Sequence, residues 1–528
     1  SSYSTVNSII REDGTVWSSG YYGNGQLGNG QYNNTLKYFV KMGDSEVTTN
    51  VLNEYIKAGT SIDINILSAD AFNVFTIGAV NQNDWKWTSS NEDVASVDSN
   101  TGKVTGLSVG CTTITGTNEK YGLKTRSIIN VYRNVEGAIT VPQVTRGDYH
   151  SAILREDGTL WMAGYNGQGQ LANGRTDSIQ NTVPTQPKID ANTYLNNVIK
   201  VSSYERTTIA LTKDGKVYGM GQNNWYQLSQ GNSTNSSYAI PLKILNEDNE
   251  PVDIENIIDI SVSENGTYLI DKDGNAYSSG NGDYYQINDT RTNYSYLQKV
   301  EGIKHAITVT NGDCEAMFTL QNGNTVIRGY NGYGTWGNGI TDARPVGVFL
   351  IGDDINQFDL RNDAAVLLKE DGTVWTAGRN EYGQLGQGNT STQTIYKKVL
   401  LEDGTEVKAK YVTETGSTLQ VLGIDGKVYI AGYNGYGQLS DGTTTNSSYL
   451  KPMLNEDGSE VTDGLFVMQA GDDASGELVS AIIRQDGSVW FAGNNDYGIV
   501  GSYEQNPYKY LHRYGGSAGY LNIRQKYI

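Results

Sequence analysis

"GDYHSAILREDGTLWMAGYNGQGQLANG", residues 147–174, combines several local structural signals in one short stretch. An apolar run leads into Asp157-Gly158, a dipeptide that favours a type I′ turn because both central residues of that turn need positive φ. A second apolar run then carries Trp161 and ends at Gly164. The stretch therefore predicts a strand, a tight turn, a second strand and a loop.

The same hairpin phrase occurs eight times along the chain. The copies begin at Glu12, Glu156, Lys213, Lys272, Gln321, Glu370, Ile424 and Gln485. From the second copy onward the turn glycines lie 49 to 61 residues apart, a period typical of a propeller blade. The interval from Gly14 to Gly158 is much longer, at 144 residues, which indicates an insertion. The 41 residues after Gly487 and the first 14 residues together equal one period, so we expect the two chain ends to complete one blade.

These phrases resemble the repeats of the regulator of chromosome condensation. Residues 147–174 nearly match the repeat's full pattern, whereas the copies at Lys213 and Lys272 lack its glycine before glutamine, and only the second copy has its histidine, His150. The resemblance implies an all-β fold, a β-propeller closed by the N- and C-terminal segments. The repeat count predicts eight blades, with seven as the alternative because members of that family usually have seven.

The insertion has a different pattern. "WKWTSSNEDVASVDSNTGKVTGLSVGCTTITG", from Trp85, resembles the bacterial immunoglobulin-like domain, group 2. The resemblance implies a small β-sandwich, with Cys111 as a core or partly buried thiol, that projects from the propeller like a handle. The expected domains are 1–45 as part of the first blade, 46–135 as the inserted domain and 136–528 as the remaining blades.

Composition disfavours several classes of function. A net charge of −19 and the lack of any Lys/Arg run disfavour nucleic acids and anionic membranes as partners. No apolar stretch approaches the 18 residues of a membrane span, so no membrane insertion is expected. Two distant cysteines, Cys111 and Cys314, predict isolated thiols. The first residues do not read as a signal peptide, which predicts either a removed signal or a fragment of a longer protein.

No catalytic residue, metal ligand or cofactor site is predicted. His150 and Ser151 are neighbours in a strand, where their side chains point to opposite faces, so His150 is interpreted as structural. The acidic pairs at 353–354 and 472–473 could hold calcium, but they lack the EF-hand spacing and are interpreted as solvated loop residues.

A better candidate for binding is the fourth residue after each closing glycine. Six of the eight positions are aromatic. They are Trp225, Tyr284, Tyr333, Tyr382, Tyr436 and Tyr497, with Asn24 and Gln168 at the other two. Because the same loop recurs on one face of every blade, these side chains are expected to form a ring. Two interpretations stay open: the ring contacts a partner, or it packs between blades beside plugs such as Leu27, Leu171 and Leu385.

Three classes of function follow from these observations. The first is a non-enzymatic, secreted or cell-surface bacterial protein that binds a protein or glycan, or assembles with copies of itself, through a propeller face and the inserted module. An inhibitor-like propeller that clamps a secreted enzyme is an alternative within this class, implied by the resemblance. Guanine-nucleotide exchange and glycan-active catalysis are less favoured, because the sequence indicates a surface protein and no recurring catalytic pair.

Overall fold

The computed structural model describes most of the chain, in eleven stretches. They are residues 6–10, 16–21, 35–41, 46–71, 75–76, 81–361, 363–467, 469–470, 479–502, 507–515 and 522–524. Apart from one turn of 3-10 helix at Gln82–Asp84, the regular structure within these stretches is β-strand. No helix in this part of the chain is long and apolar enough to cross a membrane. The all-β expectation is therefore confirmed.

Seven antiparallel sheets, numbered here as blades one to seven, follow one another between residues 143 and 513. In each blade the first strand lies innermost and the second and third form the predicted hairpin. The strands of blades one and two are Gln143–Arg146, His150–Leu154, Leu160–Asn166 and Asp177–Thr185, then Val198–Tyr204, Thr207–Thr212, Val217–Gly221 and Ser236–Pro241. Those of blades three and four are Ile257–Val262, Gly266–Asp271, Ala276–Gly280 and Tyr294–Lys299, then Ala306–Asn311, Glu315–Leu320, Thr325–Gly329 and Phe349–Gly352.

Blades five to seven repeat the same order of strands. Blade five contains Ile355–Arg361, Ala364–Lys369, Val374–Gly378 and Gln393–Lys398, and blade six contains Ala409–Glu414, Thr418–Gly423, Val428–Gly432 and Ser447–Pro452. Blade seven contains Gly464–Val467, Val479–Arg484, Val489–Gly493 and Tyr508–Arg513. Two further strands, Lys243–Leu245 and Pro251–Asp253, extend the outer edge of blade three. A buried apolar cluster lies at each joint between neighbouring blades.

The ring closes differently from the sequence-based prediction. Blade seven takes all four strands from its own stretch of chain, and the short strand Gln469–Ala470 pairs with the first strand of blade one. Ser151 of blade one also donates to the backbone oxygen of Ile499 in blade seven at 2.5 Å. The prediction that the two chain ends jointly complete a blade in a ring of eight is therefore wrong. Strand pairing and apolar packing already close the seven described blades.

The hairpin copy that starts at Glu12 forms a separate three-stranded sheet. Its strands are Val6–Ile10, Val16–Tyr21 and Thr35–Lys41. Asn24 and Leu27, which the repeat pattern also singled out, lie outside the described residues.

The inserted module, residues 46–132 in its strands, has three sheets around one core. The four-stranded sheet contains Asn53–Lys57, Leu123–Tyr132, Gly110–Asn118 and Lys86–Ser89. The two three-stranded sheets contain Ala95–Val97, Lys103–Gly106 and Ser61–Asp63, and Glu46–Thr49, Ile66–Ala71 and Phe75–Thr76. Trp85 and Trp87 are buried in the core against Ile114 and Ile129.

The module does not project as a handle but lies across one end of the propeller channel. Arg126 is fully buried and donates to the backbone oxygen of Asp353 at 2.8 Å and to the Glu370 carboxylate. Tyr55 and Val109 pack against apolar clusters of the ring. The handle prediction is therefore wrong. The reason is that two kinds of contact hold the module on the ring. Its buried arginine finds acceptors near the hairpin turns, and its apolar side chains pack into the ring's clusters.

Candidate binding face

The Gln-Leu phrase of the repeat builds the joint between blades. In blade five the Asn380 side-chain oxygen accepts from the Leu385 N–H at 3.0 Å, and Gln384 donates to the Gly416 backbone oxygen of blade six at 3.1 Å. Leu385 is fully buried. The same asparagine-to-leucine bond recurs at Leu171, Leu228 and Leu439. Leu171 packs in the apolar cluster between blades one and two, which confirms its predicted role as a plug, and Leu385 is buried.

The closing glycine of the hairpin is required by a close backbone approach. At Gly378 φ is +109°, and a Cβ there would lie 2.1 Å from the backbone oxygen of Asp363. Because an L side chain would be strained in this conformation and would also clash, only glycine fits. The chain then turns into the loop that carries Tyr382.

Strand direction separates the two ends of the ring. The hairpin turns and the starts of the first strands contact the module, as Glu370 and Ile355 do. The third strands run away from the module, so the loops after their closing glycines lie at the opposite end. We call this end the open face, because no described contact of the module reaches it. All six predicted aromatic residues lie on these loops.

The six aromatic side chains are half-buried, and three of them, Tyr284, Tyr382 and Tyr497, contact tyrosines of the neighbouring blade that the sequence analysis did not select. Tyr382 contacts Tyr433 of the next blade with ring centroids 4.9 Å apart, and Tyr284 contacts Tyr330 at 5.4 Å. Tyr433 and Tyr330 also lie next to Tyr436 and Tyr333, at 6.2 and 6.3 Å. These edge and tilted contacts fix the rings at the joints between blades three and four and between blades five and six.

Tyr497 and Trp225 have different surroundings. Tyr497 lies between Tyr149 and Tyr165 of blade one, at 4.8 and 5.7 Å. The Trp225 side chain lies near the Glu264 carboxyl and partly offsets the rise that burial gives to its pKa. The missed partners Tyr165, Tyr330 and Tyr433 directly follow the closing glycine in the phrase "GYNG". That recurring tyrosine is the signal that could have identified them.

Carboxylates converge where the channel reaches the open face. We call this group the acidic mouth: Glu264, Asp313, Glu315 and Asp363, all on the loops between first and second strands or beside them. Burial and the neighbouring Asp313 carboxylate raise the pKa of Asp363 to about 7. Burial also raises the pKa values of Asp313, Glu264 and Glu315, most strongly for Glu315, which is only 1% exposed. The group therefore holds protons at pH values where ordinary carboxylic acids are ionised.

Two arginines limit the negative charge of this mouth. Arg361 lowers the pKa of Asp313, and its guanidinium lies 5.4 Å from the ring centre of Tyr204. Arg379 lies 5.7 Å from the ring centre of Tyr333 and pairs with Glu381 at 2.8 Å. The open face thus combines aromatic faces with charges of both signs.

The other sequence candidates have structural surroundings. His150 is fully buried, its Nε2 lies 2.7 Å from Thr208 Oγ1 of blade two, and burial lowers its pKa to about 3. Asp354 pairs with Lys369 at 2.7 Å, and the pair at 472–473 lies outside the described residues. Within the described stretches no group of three or more His, Cys, Asp and Glu side chains could hold a metal ion. Both cysteines are free thiols, and Cys111 is exposed rather than part of the module core as expected.

Comparison with known families supports both parts of the architecture. The family model of the bacterial Ig-like domain (group 2) matches residues 73–129. Two models of the regulator of chromosome condensation repeat match residues 143–170 and 198–227, and residues 214–270 and 371–408.

Curated relatives match parts of the chain. The human E3 ubiquitin-protein ligase HERC2 is 25% identical over 311 residues, which are 57% of this chain and 6% of the ligase. The Danio rerio protein RCC2 homolog is 29% identical over 138 residues, 26% of each chain. The ultraviolet-B receptor UVR8 of Arabidopsis thaliana is 24% identical over 308 residues, 57% of this chain and 66% of the receptor. The chain therefore spans only a small part of the ligase and about a quarter of the RCC2 homolog.

Solved structures show the same fold. Human WBSCR16 is similar with a TM-score of 0.51 and 19% identity, covering 64% of this chain and 86% of that one. Yeast RCC1 (Prp20), solved bound to Kap60, is similar with a TM-score of 0.52 and 14% identity, covering 72% and 86%. With the strand order and the closed ring, the chain is a β-propeller that contains matches to the regulator of chromosome condensation repeat at residues 143–170, 198–270 and 371–408 and to the bacterial Ig-like domain (group 2) at residues 73–129.

Proposed function

We propose that this chain is a non-enzymatic bacterial binding protein that acts outside the cell and receives a folded protein partner on its open face. The observation that carries this proposal is the position of the module. It occupies one end of the ring, so the paired tyrosines and the acidic mouth at the other end remain for a partner.

The chemistry of the open face suits protein recognition. Aromatic rings supply large contact areas with few rotatable bonds, and contacts such as Tyr382–Tyr433 hold them in place before a partner arrives. Half-burial leaves part of each ring accessible. The net charge of −19 favours a partner surface that carries Lys or Arg.

An extracellular bacterial setting is part of the same proposal. Support comes from the bacterial Ig-like domain and from the acidic composition with two free cysteines. A clamp on a secreted enzyme is one form that such binding could take, because the open face is broad and aromatic. A glycan and a second copy of the chain are the alternative ligands of the open face, and the experiment must distinguish them from a protein partner.

The test compares the chain with open-face variants. Tyr382→Ala combined with Tyr436→Ala removes two neighbouring rings, and Tyr194→Ala, 47% exposed on an outer loop, is the matched control. Light scattering across concentration measures self-association, and protein and glycan arrays measure binding of the labelled chain. We expect a monomer that binds protein, with binding at least about tenfold weaker in the double variant and unchanged in the control.

Other outcomes would redirect or reject the proposal. Concentration-dependent growth that the double variant abolishes would make a second copy the occupant. Binding confined to the glycan array would replace the protein partner with a glycan. Equal binding by the double variant and the chain itself would reject the open face as the docking surface.

A further inference from the structure

The seat of the module on the ring encloses a second candidate site, independent of the open face. A cavity of about 730 Å³ lies between the module and the inner strands of the propeller. Its size falls within the range of small-molecule pockets, and such pockets favour domain interfaces. Leu107 and Ile424, 51% and 67% exposed, belong to its lining, so the cavity reaches solvent at the rim of the module.

The Asp359 carboxylate, which lines this cavity, already receives its full set of hydrogen bonds. Asp359 accepts from the hydroxyls of Thr310 and Thr413 and from the N–H groups of Leu360 and Glu414, at 2.7 to 3.1 Å. A carboxylate offers about four acceptor positions, so Asp359 is saturated.

Asp259 is nearly as well supplied. It accepts from Lys200, from the Thr308 hydroxyl at 2.8 Å and from the Val309 N–H at 2.9 Å. The two carboxylates therefore have little capacity left for a ligand that donates hydrogen bonds.

Around these two carboxylates, the groups with hydrogen-bonding capacity left are donors. Lys200 carries three N–H groups, and the one described partner of its ammonium group is Asp259. Arg361 is 4% exposed, and its Nε has no hydrogen-bond partner among the described residues; the nearest carboxylate oxygen, on Asp359, is 4.0 Å away. The Tyr55 hydroxyl also finds no partner within the described stretches, although Asp259 and Cys111 lie close enough to affect its pKa. Such a set of donors selects a ligand rich in acceptor oxygens.

The walls of the cavity add aromatic surface. Tyr411 and Phe466 line it from the ring, with their ring centroids 6.2 Å apart in an edge arrangement, and Tyr55 lines it from the module. An aromatic or other flat apolar body can pack against such rings.

We propose that this cavity binds a small organic carboxylate with an aromatic body, whose oxygens accept from Lys200 and Tyr55. Arg361 offers a further donor deeper in the channel. The proposal does not depend on a partner at the open face, because Lys200 and Tyr55 lie where the module meets the ring, and Arg361 is the one named donor near the acidic mouth.

Cys111 provides a native reporter for this site. It lines the cavity and is accessible to solvent that enters it. The surrounding cavity walls desolvate the thiol and raise its pKa to about 12, an effect that Lys200 offsets in part. Cys314, half-buried at the open-face end of the channel, is the internal control, and burial raises its pKa as well. A ligand next to Lys200 should shield Cys111 and leave Cys314 unaffected.

The experiment uses the full chain with phenylacetate and indole-3-acetate as probes and their primary amides as uncharged matches. Iodoacetamide modification of each cysteine is followed by peptide mass spectrometry, and affinity by calorimetry. We expect the acids to slow modification of Cys111 at least about threefold at millimolar concentration, with no effect on Cys314. The amides should bind at least about tenfold more weakly, because they lack the charge that Lys200 recognises.

Variants locate the binding to the cavity. Lys200→Met should weaken binding of the acids at least about tenfold, whereas Lys213→Met, an exposed lysine of the same blade outside the cavity, should not. Tyr55→Phe removes one hydroxyl without removing the ring, so it tests the site even where Lys200→Met fails to fold. Equal binding of acids and amides, protection of both cysteines alike, or no protection by either acid would overturn the proposal.

Discussion

Arg133 of the module donates to Glu156 of the first ring hairpin through both Nε and Nη2, and the Nη2–Oε2 distance is 2.6 Å. Glu156 is only 4% exposed. The second module arginine, Arg126, pairs with Glu370. Glu156 and Glu370 are the two glutamates that open a hairpin phrase within the described ring, and each one receives a cation from the module. Within the described ring, a glutamate at the start of the hairpin phrase therefore coincides with an ion pair to the module.

Arg133→Met should destabilise the seating of the module. The change leaves the Glu156 carboxylate buried, with Arg524 at 4.0 Å as its remaining described cation. We expect the free energy of unfolding to fall by about 1–3 kcal/mol, and protease cleavage between module and ring to accelerate. Denaturant unfolding and limited proteolysis measure the two effects. Lys398→Met, which breaks an exposed pair with Glu406, is the control and should cost less than about 1 kcal/mol. Equal losses in the two variants would contradict the seating role of Arg133.

Asp359 should be among the most sensitive positions of the ring. Its carboxylate accepts from Thr310 of blade four and from Thr413 and the Glu414 N–H of blade six, so it connects three blades. Asp359→Ala leaves these buried donors without an acceptor, and we expect a loss of about 3–5 kcal/mol in unfolding free energy. Asp403→Ala, on an exposed turn, should change it little. A loss at Asp359 no larger than at Asp403 would mean that apolar packing alone holds the blades together.

Stability should fall as the pH rises from 5 to 8. The pKa of Asp363 is raised to about 7 in the folded chain, so the folded chain binds this proton more tightly than the unfolded chain does. The resulting stabilisation is complete below the ordinary aspartate pKa and is lost as the pH rises through 7. The raised pKa values of Asp313 and Glu315 act in the same direction. Asp363→Asn keeps a residue that tolerates the positive φ of 64° and should reduce the pH dependence by about 1–3 kcal/mol.

Calorimetric melting at pH 5 and pH 8 tests this expectation. Asp403→Asn is the control, because hydrogen bonds to Thr405 lower the pKa of Asp403, and its titration therefore lies below this pH window. A steeper loss of stability at pH 8 in Asp363→Asn than in the unmodified chain would contradict the sign of the effect.

The tyrosine pair Tyr382–Tyr433 should show measurable coupling between blades five and six. A double-mutant cycle with alanine at both positions is expected to give about 0.5–1.5 kcal/mol, the range for edge-on aromatic pairs. Tyr382 combined with Tyr194 on an outer loop of blade one should give no coupling. Chemical denaturation provides the values. A coupling free energy near zero for Tyr382 and Tyr433 would leave partner binding as the main role of these rings.

Much of the architecture could be predicted because its causes are local. An Asp-Gly or Asn-Gly turn closes each hairpin of the ring, although only its glycine has positive φ, so the predicted type I′ geometry is wrong. The Asn380, Gln384 and Leu385 pattern recurs because neighbouring blades meet in the same geometry. The predicted aromatic positions lie on one face for the same reason. Their partners at Tyr330 and Tyr433 were missed because the pairing crosses a joint between blades, which no single copy of the repeat contains.

The sequence by itself determined the class of each part: hairpins with an aromatic wedge, a Gln-Leu joint, and an inserted domain with its own tryptophan core. Only the tertiary structure decided how these parts meet. Ring closure depends on contacts such as Ser151 to Ile499, and the module seat depends on Arg126 meeting acceptors more than two hundred residues away. Local turn chemistry acts over a few residues and can be read from the chain. Ion pairs and packing between distant segments exist only after folding brings their atoms together, and so do the cavity and the acidic mouth.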